Sequence, residues 1–258
     1  MNQIHPTAIV SPKAEIGSNN IIGPYTFIED DVIIGNDCII GSHVGIYNGA
    51  RIGNKVKIYQ SVSVANHPQD LKFKNEETTF VIGDGTIVRE FVTLNRGTSE
   101  SGTSIVGKNC LLMAYAHIAH DCVVGDNCII ANVVQLGGHV HIGDWAILGG
   151  GSLVHQFCKV GEHVMLGGAY RAIADIPPFI IAAGEPLKYS GLNTIGLRRR
   201  GFSNDDIFKL KDIYSYIFSK ELNLTQAKNK VKEKYPDDKF AKTVLSFLEK
   251  STRGIIKK

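Results

Sequence analysis

The chain has 258 residues and a formal net charge of +3, with 43% hydrophobic and 21% charged residues. These values are ordinary for a folded protein and exclude a largely disordered, collagen-like or coiled-coil chain. No apolar run approaches the ~18 residues of a membrane span, and the first residues lack the basic and apolar regions of a secretory signal. We therefore expect a cytoplasmic protein with at most peripheral membrane association.

A six-residue period runs through the first two thirds of the chain. From Ile4 to Leu166, 25 of the 28 residues at every sixth position are aliphatic. This period is neither that of a helix nor that of an alternating strand, and it indicates a parallel β-helix built from hexapeptide repeats. The residue after each aliphatic is often glycine, which we interpret as the residue that turns each corner. We predict nine to ten coils over about residues 2–175.

Two segments interrupt the period without changing its phase. Residues 66–79 and 95–105 are interpreted as loops that leave the coil and return, and such loops are favoured sites for binding residues. The flanking aliphatic positions are 18 residues apart at the first loop, which we count as a full coil of three sides, and 12 at the second, counted as two sides. Pro177 and Pro178 should then end the coil, because proline cannot donate to a β-ladder.

The C-terminal part differs in composition and pattern. Residues 185–258 carry a net charge of +8, whereas residues 1–184 carry −5. The segment Ser203–Asp206 resembles a helix capping box, and apolar residues at helical spacing follow it. Further helices are predicted near Thr225 and after Pro236. We therefore divide the chain into a β-helix domain, 1–184, and a basic helical domain, 185–258.

The five cysteines share one inward-facing slot of the repeat. Because this slot lies in a dry, narrow core, we interpret them as small buried hydrophobes in a reducing compartment rather than as disulfides or metal ligands. They are Cys38, Cys110, Cys122, Cys128 and Cys158.

A polar cluster follows from the coil arithmetic, because residues 18 apart stack on one edge about 4.8 Å apart. His120, Gly138 and Gln156 share this spacing, as do Asp121 and His139. A histidine beside a carboxylate is suited to general-base catalysis, and a glycine N–H is suited to bind developing negative charge. Clustered histidines can also bind zinc, but we favour acyl transfer as the function of this cluster.

His117 and His155 lie next to this cluster in sequence. Asn66 is 54 residues before His120, so we place the first loop on the same edge, three coils away. In a trimer this loop could reach the site of a neighbouring subunit. Its polar residues are Gln69, Asp70 and Lys72.

A basic triplet, Arg198–Arg200, indicates a site for phosphate or an acidic partner, with a solvated helix face as the alternative. Nucleic acid is not expected as a partner, because the net charge is only +3 and no aromatic platform accompanies the basic residues.

Together these residues resemble the bacterial UDP-N-acetylglucosamine O-acyltransferases, which begin lipid A synthesis, over nearly the whole chain. The motifs that carry the resemblance are Ile4–Ile9, Gln69–Lys72, Ala116–Cys122, Gly138–Val140, Val154–Cys158 and Gly196–Phe202. The resemblance implies a left-handed parallel β-helix followed by a small C-terminal helical domain. It also implies a homotrimer with active sites between subunits.

The implied reaction moves a (3R)-hydroxyacyl chain from the phosphopantetheine arm of acyl carrier protein to the 3-OH of UDP-N-acetylglucosamine, with no metal or other cofactor. The resemblance makes His120 the general base, Asp121 its support and Gly138 the backbone donor to the oxyanion. It assigns substrate binding to Gln69, Asp70, Lys72, His117, His139, His155, Gln156, Gly168, Asn193, Arg199 and Arg200.

Gly168 bounds the acyl pocket in the family, and a glycine there leaves depth for a chain of about 14 carbons or longer. Two features depart from the family pattern. Ile195 stands where a glutamate often precedes the basic block, and Tyr170–Arg171 is bulkier than usual. These departures concern the nucleotide end and the acyl chain length.

Other functions remain as alternatives. The same residues could acylate a 3-amino analogue of the sugar, and hexapeptide repeats also occur in coenzyme A-dependent N-acyltransferases. A zinc lyase of the carbonic anhydrase type would use the region of His117 and His139. A non-catalytic or ice-binding solenoid would need flat threonine-rich faces, which this chain lacks.

Overall fold

The computed structural model describes all residues, 1–258, and shows a parallel β-helix with three faces followed by four helices. The first face comprises β1 (Gln3–Ile4), β4 (Ile21–Ile22), β7 (Ile39–Ile40), β10 (Lys57–Ile58), β13 (Ile87–Val88), β16 (Leu111–Leu112), β19 (Ile129–Ile130), β22 (Ile147–Leu148), β25 (Met165–Leu166), β27 (Ile180–Ala183) and β28 (Lys188–Leu192). The second comprises β2 (Ile9–Val10), β5 (Phe27–Ile28), β8 (Gly45–Ile46), β11 (Ser63–Asn66), β14 (Thr93–Asn95), β17 (His117–Ile118), β20 (Gln135–Leu136), β23 (Leu153–Val154) and β26 (Arg171–Ala172). The third comprises β3 (Glu15–Ile16), β6 (Val32–Ile34), β9 (Ala50–Ile52), β12 (Thr79–Ile82), β15 (Thr103–Val106), β18 (Val123–Val124), β21 (His141–Ile142) and β24 (Lys159–Val160).

The periodic aliphatic residues form the core, as the hexapeptide pattern predicts. On the second face, Ile118, Leu136 and Val154 stack on successive coils, and none is more than 3% exposed. All five cysteines are free and buried, in agreement with their interpretation as core residues. Burial raises the pKa of Cys122 to about 12, so this thiol stays protonated at neutral pH.

The glycine after each aliphatic does not turn the corner, contrary to the prediction. The left-handed backbone conformation falls two residues later, on residues such as Asn19, Asp37 and His43. Gly17 instead lies against the next coil, because a Cβ there would be 2.6 Å from the carbonyl oxygen of Gly35. Glycine is therefore needed for the close approach of stacked coils rather than for its φ angle.

Both loops are insertions within one side of the coil. β11 is followed directly by β12 on the next face, and β14 is followed by β15 in the same way. A regular side takes six residues, which leaves insertions of 12 and 6 residues. The prediction that the first interruption spans a full coil and the second spans two sides was therefore wrong. Because both insertions are multiples of six, they keep the phase, and Asn66 lies two coils from His120 rather than three.

Parallel pairing continues beyond the two prolines, so the predicted end near residue 175 was also wrong. β27 pairs in parallel with β25 and places Ile181 opposite Met165. Pro177 and Pro178 occupy a corner, and the backbone N–H groups of the flanking Ile176 and Phe179 donate to the preceding coil. The prolines therefore interrupt no ladder hydrogen bond.

The helices are α1 (Thr194–Arg199), α2 (Asn204–Ile217), α3 (Leu224–Lys234) and α4 (Lys239–Lys250). The predicted capping box is confirmed, since Ser203 and Asp206 each accept a hydrogen bond from the other's backbone N–H. The buried Tyr214 of α2 donates to the carbonyl of Pro178 at 2.5 Å, and Ser251 donates to Asp175 at 2.6 Å. These contacts hold the helices against the last coil. None of the helices has the length and apolar character needed to span a bilayer.

Candidate active site

The polar cluster lies on the edge that follows the second face. β17, β20 and β23 pair in register, so His120, Gly138 and Gln156 occupy equivalent places two residues after each strand. Asp121 and His139 follow them on the same edge. The predicted stacking of these residues is therefore confirmed, because their 18-residue spacing matches one undisturbed coil.

His120 is hydrogen-bonded to a carboxylate whose acceptor positions are all occupied. Its Nδ1 donates to Oδ2 of Asp121 at 2.7 Å, and Asp121 is only 3% exposed. Thr98 donates to Oδ1 through its backbone N–H at 2.9 Å and to Oδ2 through Oγ1 at 2.8 Å. Ser101 also donates to Oδ1.

Burial opposes ionisation of Asp121, but hydrogen bonds from Ser101, His120 and Thr98 outweigh it and lower the pKa of Asp121 to about 2. The carboxylate is therefore ionised at neutral pH and can only accept hydrogen bonds. The proton of a neutral His120 must then reside on Nδ1, which leaves Nε2 free to accept a proton.

Gly138 lies directly beside that free nitrogen. A Cβ at this position would be 2.7 Å from Nε2 and 2.6 Å from Cε1 of His120, so only glycine allows the ring to sit where it does. The residue is buried, and no protein group accepts a hydrogen bond from its N–H. A buried, unpaired backbone N–H is rare, and it provides a ready donor for an oxyanion.

His139 forms the next wall of the site. Its ring stacks on Phe157 with centroids 4.4 Å apart and meets His120 edge-on at 5.1 Å. Its Nε2 is 3.6 Å from Glu100 and 3.7 Å from Asp121. Donor atoms of His120, Asp121 and His139 lie within 4.8 Å of one another. A metal there would compete with the four hydrogen bonds that fill the acceptor positions of Asp121.

His117 is half-buried and paired with Thr93. Thr93 Oγ1 and His117 Nδ1 are 2.7 Å apart. Burial, together with the nearby His120, lowers the pKa of His117, which favours its neutral form at neutral pH. A neutral imidazole can donate or accept a hydrogen bond without adding charge to the site.

Two adjoining cavities extend from His120, with volumes of about 640 and 510 Å³. Gln69, His120 and Gln156 line both, so they form one continuous groove. The larger cavity also contacts Asp70, Lys72 and His139. The smaller one also contacts His117, Gly138, His155 and Arg171. Nine of the predicted site residues therefore line this groove, because the first loop leaves the coil on the same edge, and Asp121 joins them through its hydrogen bond to His120.

Four predicted residues lie elsewhere in the chain. Gly168 follows β25 on the edge after the first face, where a Cβ would be 3.1 Å from the carbonyl oxygen of Gly150. Arg199 is exposed at the end of α1. A single chain does not bring either residue to the groove of His120, because Gly168 lies on another edge of the coil and Arg199 lies on helix α1.

Asn193 and Arg200 pack on the edge after the third face. Asn193 caps α1, and its side chain donates to the carbonyl of His163 at 3.0 Å. The guanidinium of Arg200 lies 5.2 Å from the centre of the Trp145 ring and 3.3 Å from Nδ1 of His163. Burial, and secondarily Arg200, lowers the pKa of His163 to about 4. Ile195 is exposed on the same helix.

The sequence reasoning missed the residues that support the site from the second loop, Thr98, Glu100 and Ser101. It also missed Phe157, which stacks on His139, and Thr93, which lies 24 residues before His117. If the second interruption had been counted as one side of the coil with six inserted residues, the second loop would have been placed on the same edge as Asp121. The six-residue period is compatible with this count but does not by itself require it.

Comparisons with known proteins identify the family. The model described as "Udp N-acetylglucosamine O-acyltransferase; Domain 2" matches residues 175–256, and the hexapeptide transferase model matches 13–48 and 103–134. The chain is 60% identical to the acyl-(acyl-carrier-protein)–UDP-N-acetylglucosamine O-acyltransferase of Chlorobium phaeobacteroides over 98% of this chain and 97% of that protein. The protein of the same name from Chlorobaculum parvum is 55% identical over the same shares.

Comparison with solved structures identifies the same family. The UDP-N-acetylglucosamine acyltransferase from Bacteroides fragilis superimposes with a TM-score of 0.97 at 44% identity, covering 99% of this chain and all of that one. The enzyme from Acinetobacter baumannii gives a TM-score of 0.96 at 42% identity, covering 98% and 99%. The fold is the left-handed parallel β-helix that the resemblance implied. The chain therefore belongs to the acyl-(acyl-carrier-protein)–UDP-N-acetylglucosamine O-acyltransferase family.

Proposed function

We propose that this protein transfers a (3R)-hydroxyacyl chain from acyl carrier protein to the 3-OH of UDP-N-acetylglucosamine, the first step of lipid A synthesis. The names of its relatives specify this acyl donor and this sugar nucleotide. The observation that carries the proposal is the free Nε2 of His120 beside the unpaired N–H of Gly138 in one groove. We also place the protein in the cytoplasm, where its five buried thiols would stay reduced.

The proposed reaction needs one base and one oxyanion donor. His120 Nε2 accepts the proton of the sugar 3-OH while that oxygen attacks the thioester carbon. The N–H of Gly138 donates to the oxygen that becomes negative, and Asp121 stabilises the imidazolium that forms. The C–O bond is completed as the C–S bond breaks, and the imidazolium returns the proton to the departing thiolate. The chain's residues then end in their starting protonation states.

The groove provides groups for the rest of the substrate. Gln69, Asp70 and Lys72 line it together with His120, and we assign them to the sugar. We assign His117, His139, His155 and Gln156 to positioning the sugar and acyl groups, since all of them line the groove. No metal is required, because a thioester is already an activated acyl donor.

We further propose a homotrimer with active sites between subunits. Most outward side chains of the first face are apolar, and Ile21 and Ile39, which are paired on successive coils, are each 43% exposed. A neighbouring subunit packed there could bring its own Gly168 and its own helix α1 to the groove. Gly168 would then bound a pocket for an acyl chain of about 14 carbons or longer, and Asn193, Arg199 and Arg200 would serve the nucleotide end.

An initial-rate assay tests the function. Purified protein is given UDP-N-acetylglucosamine, or its 3-amino analogue, with hydroxyacyl carrier proteins of several chain lengths. We expect transfer to the 3-OH sugar and a loss of about 10²–10⁴-fold in His120→Ala. His5→Ala is the matched control, because His5 is exposed at the first coil and its side chain hydrogen-bonds only Thr7. Unchanged turnover in His120→Ala, or stoichiometric zinc with lyase activity, would overturn the proposal.

A further inference from the structure

The second loop supplies most of the hydrogen bonds to the catalytic carboxylate. Three of the four donors to Asp121 come from Thr98 and Ser101, and only the fourth comes from His120. The reaction proposed above uses neither loop residue. The loop reaches Asp121 because its six inserted residues leave β14 at the same edge and return to β15 over the corner.

We infer that Thr98 and Ser101 are positioning residues of the acyl transfer, which hold Asp121 so that His120 presents Nε2 to the substrate. The inference rests on the proposed function. A carboxylate turns easily about its last bond, and a single hydrogen bond would not fix its plane. Donors from the loop to both oxygens fix it, with Oδ2 turned toward Nδ1 of His120.

The loop also keeps His139 from competing for Asp121. Nε2 of His139 is 3.7 Å from Oδ2, close enough to move into a vacant acceptor position. Thr98 Oγ1 occupies that position at 2.8 Å. Without this hydroxyl, either His139 moves in or the carboxylate carries more unshared negative charge, which favours the protonated form of His120.

The expected signature is therefore a change in pH dependence. The titratable or charged groups that contact His120 or line the groove with it are Asp121, His117, His139, His155, Glu76, Glu100, Asp70, Lys72 and Arg171. Removal of a hydroxyl donor to Asp121 deletes none of these groups. More negative charge on Asp121 then moves the acidic limb of the kcat/KM profile to higher pH.

The test uses Thr98→Val and Ser101→Ala in the full-length protein. We expect kcat to fall about tenfold in Thr98→Val with KM within about twofold, and the acidic limb to move up by about half a pH unit in both variants. Thr98→Ser should restore the wild-type profile. Thr103→Val is the matched control, because its hydroxyl bonds Thr79 and not Asp121.

A second readout does not depend on turnover. Carbethoxylation of His120 by diethyl pyrocarbonate, followed by peptide mass spectrometry across pH, reports when Nε2 is free in the unliganded protein. We expect the same upward displacement in both variants. Ser101 is exposed, so Ser101→Ala remains informative even if Thr98→Val does not fold.

Wild-type pH profiles in both variants, by rate and by modification, would overturn the inference, and so would an equal displacement in Thr103→Val. Wild-type protein inactive toward UDP-N-acetylglucosamine would instead remove the proposed function, and the modification profiles would still decide whether the loop controls His120.

Discussion

Gly138→Ala places a methyl group against the imidazole of His120. The added Cβ would lie 2.6 Å from Cε1 and 2.7 Å from Nε2, whereas nonbonded carbon atoms prefer about 3.5–4.0 Å. The ring must therefore move by about 1 Å, although its Nδ1 is held 2.7 Å from Asp121. Because alanine keeps the backbone N–H, the variant tests the placement of the base separately from the oxyanion donor.

We expect kcat to fall about 100-fold, the usual cost of a displacement of about 1 Å at a reacting centre. KM for UDP-N-acetylglucosamine should stay within about threefold. Initial rates with saturating hydroxyacyl carrier protein measure both. Gly45→Ala in β8 is the control, because the atoms nearest to its Cβ would be those at the far end of the Tyr47 side chain. A kcat for Gly138→Ala within about threefold of wild type would refute the proposed position of the base.

Three other predictions concern acid stability, loop anchoring and capping. The pKa of Asp121 is lowered from 3.8 to about 2, so its ionised form stabilises the fold above about pH 4 and this contribution is lost toward pH 2. Asp121→Asn should therefore melt below wild type at pH 7, and the gap should close in acid; a gap that persists at pH 2 would contradict this. Arg96 is 7% exposed, donates to the carbonyl of Asn48 at 2.7 Å and lies 5.5 Å from the centre of the Phe73 ring. Arg96→Ala should loosen the first loop and raise KM for the nucleotide sugar about five- to tenfold with kcat nearly unchanged, whereas unchanged KM would mean that the loop needs no such anchor. Ser203→Ala should cost about 1 kcal/mol in the free energy of unfolding measured with denaturant, and no loss would show that the capping box is dispensable.

The sequence was sufficient for the coil and for the centre of the candidate site. A solenoid repeats one local conformation, so residues that are 18 apart in an undisturbed stretch must stack. His120, Gly138 and Gln156 lie in such a stretch, between the second loop and the end of the coil. The proximity of these three residues could therefore be predicted from their 18-residue spacing.

The residue spacing did not predict the structure correctly where the chain leaves the hexapeptide repeat. The two insertions keep the phase, and the number of coils between Asn66 and His120 could not be read from the period alone. The roles of glycine and proline were misjudged for a related reason. Gly17 is limited by contact with Gly35 on the next coil, and the corner prolines are flanked by residues that make the ladder bonds.

The six-residue period, the shared slot of the five cysteines and the 18-residue spacing of the polar residues already specified a β-helix with a dry core and a histidine–carboxylate edge. Only the tertiary structure decided that Thr98 and Ser101 hold Asp121 and that Asn193 caps a helix. The physical reason is that periodic side chains are positioned by local backbone geometry. The course of a nonperiodic loop depends instead on whichever hydrogen bonds and packing it finds on the folded surface.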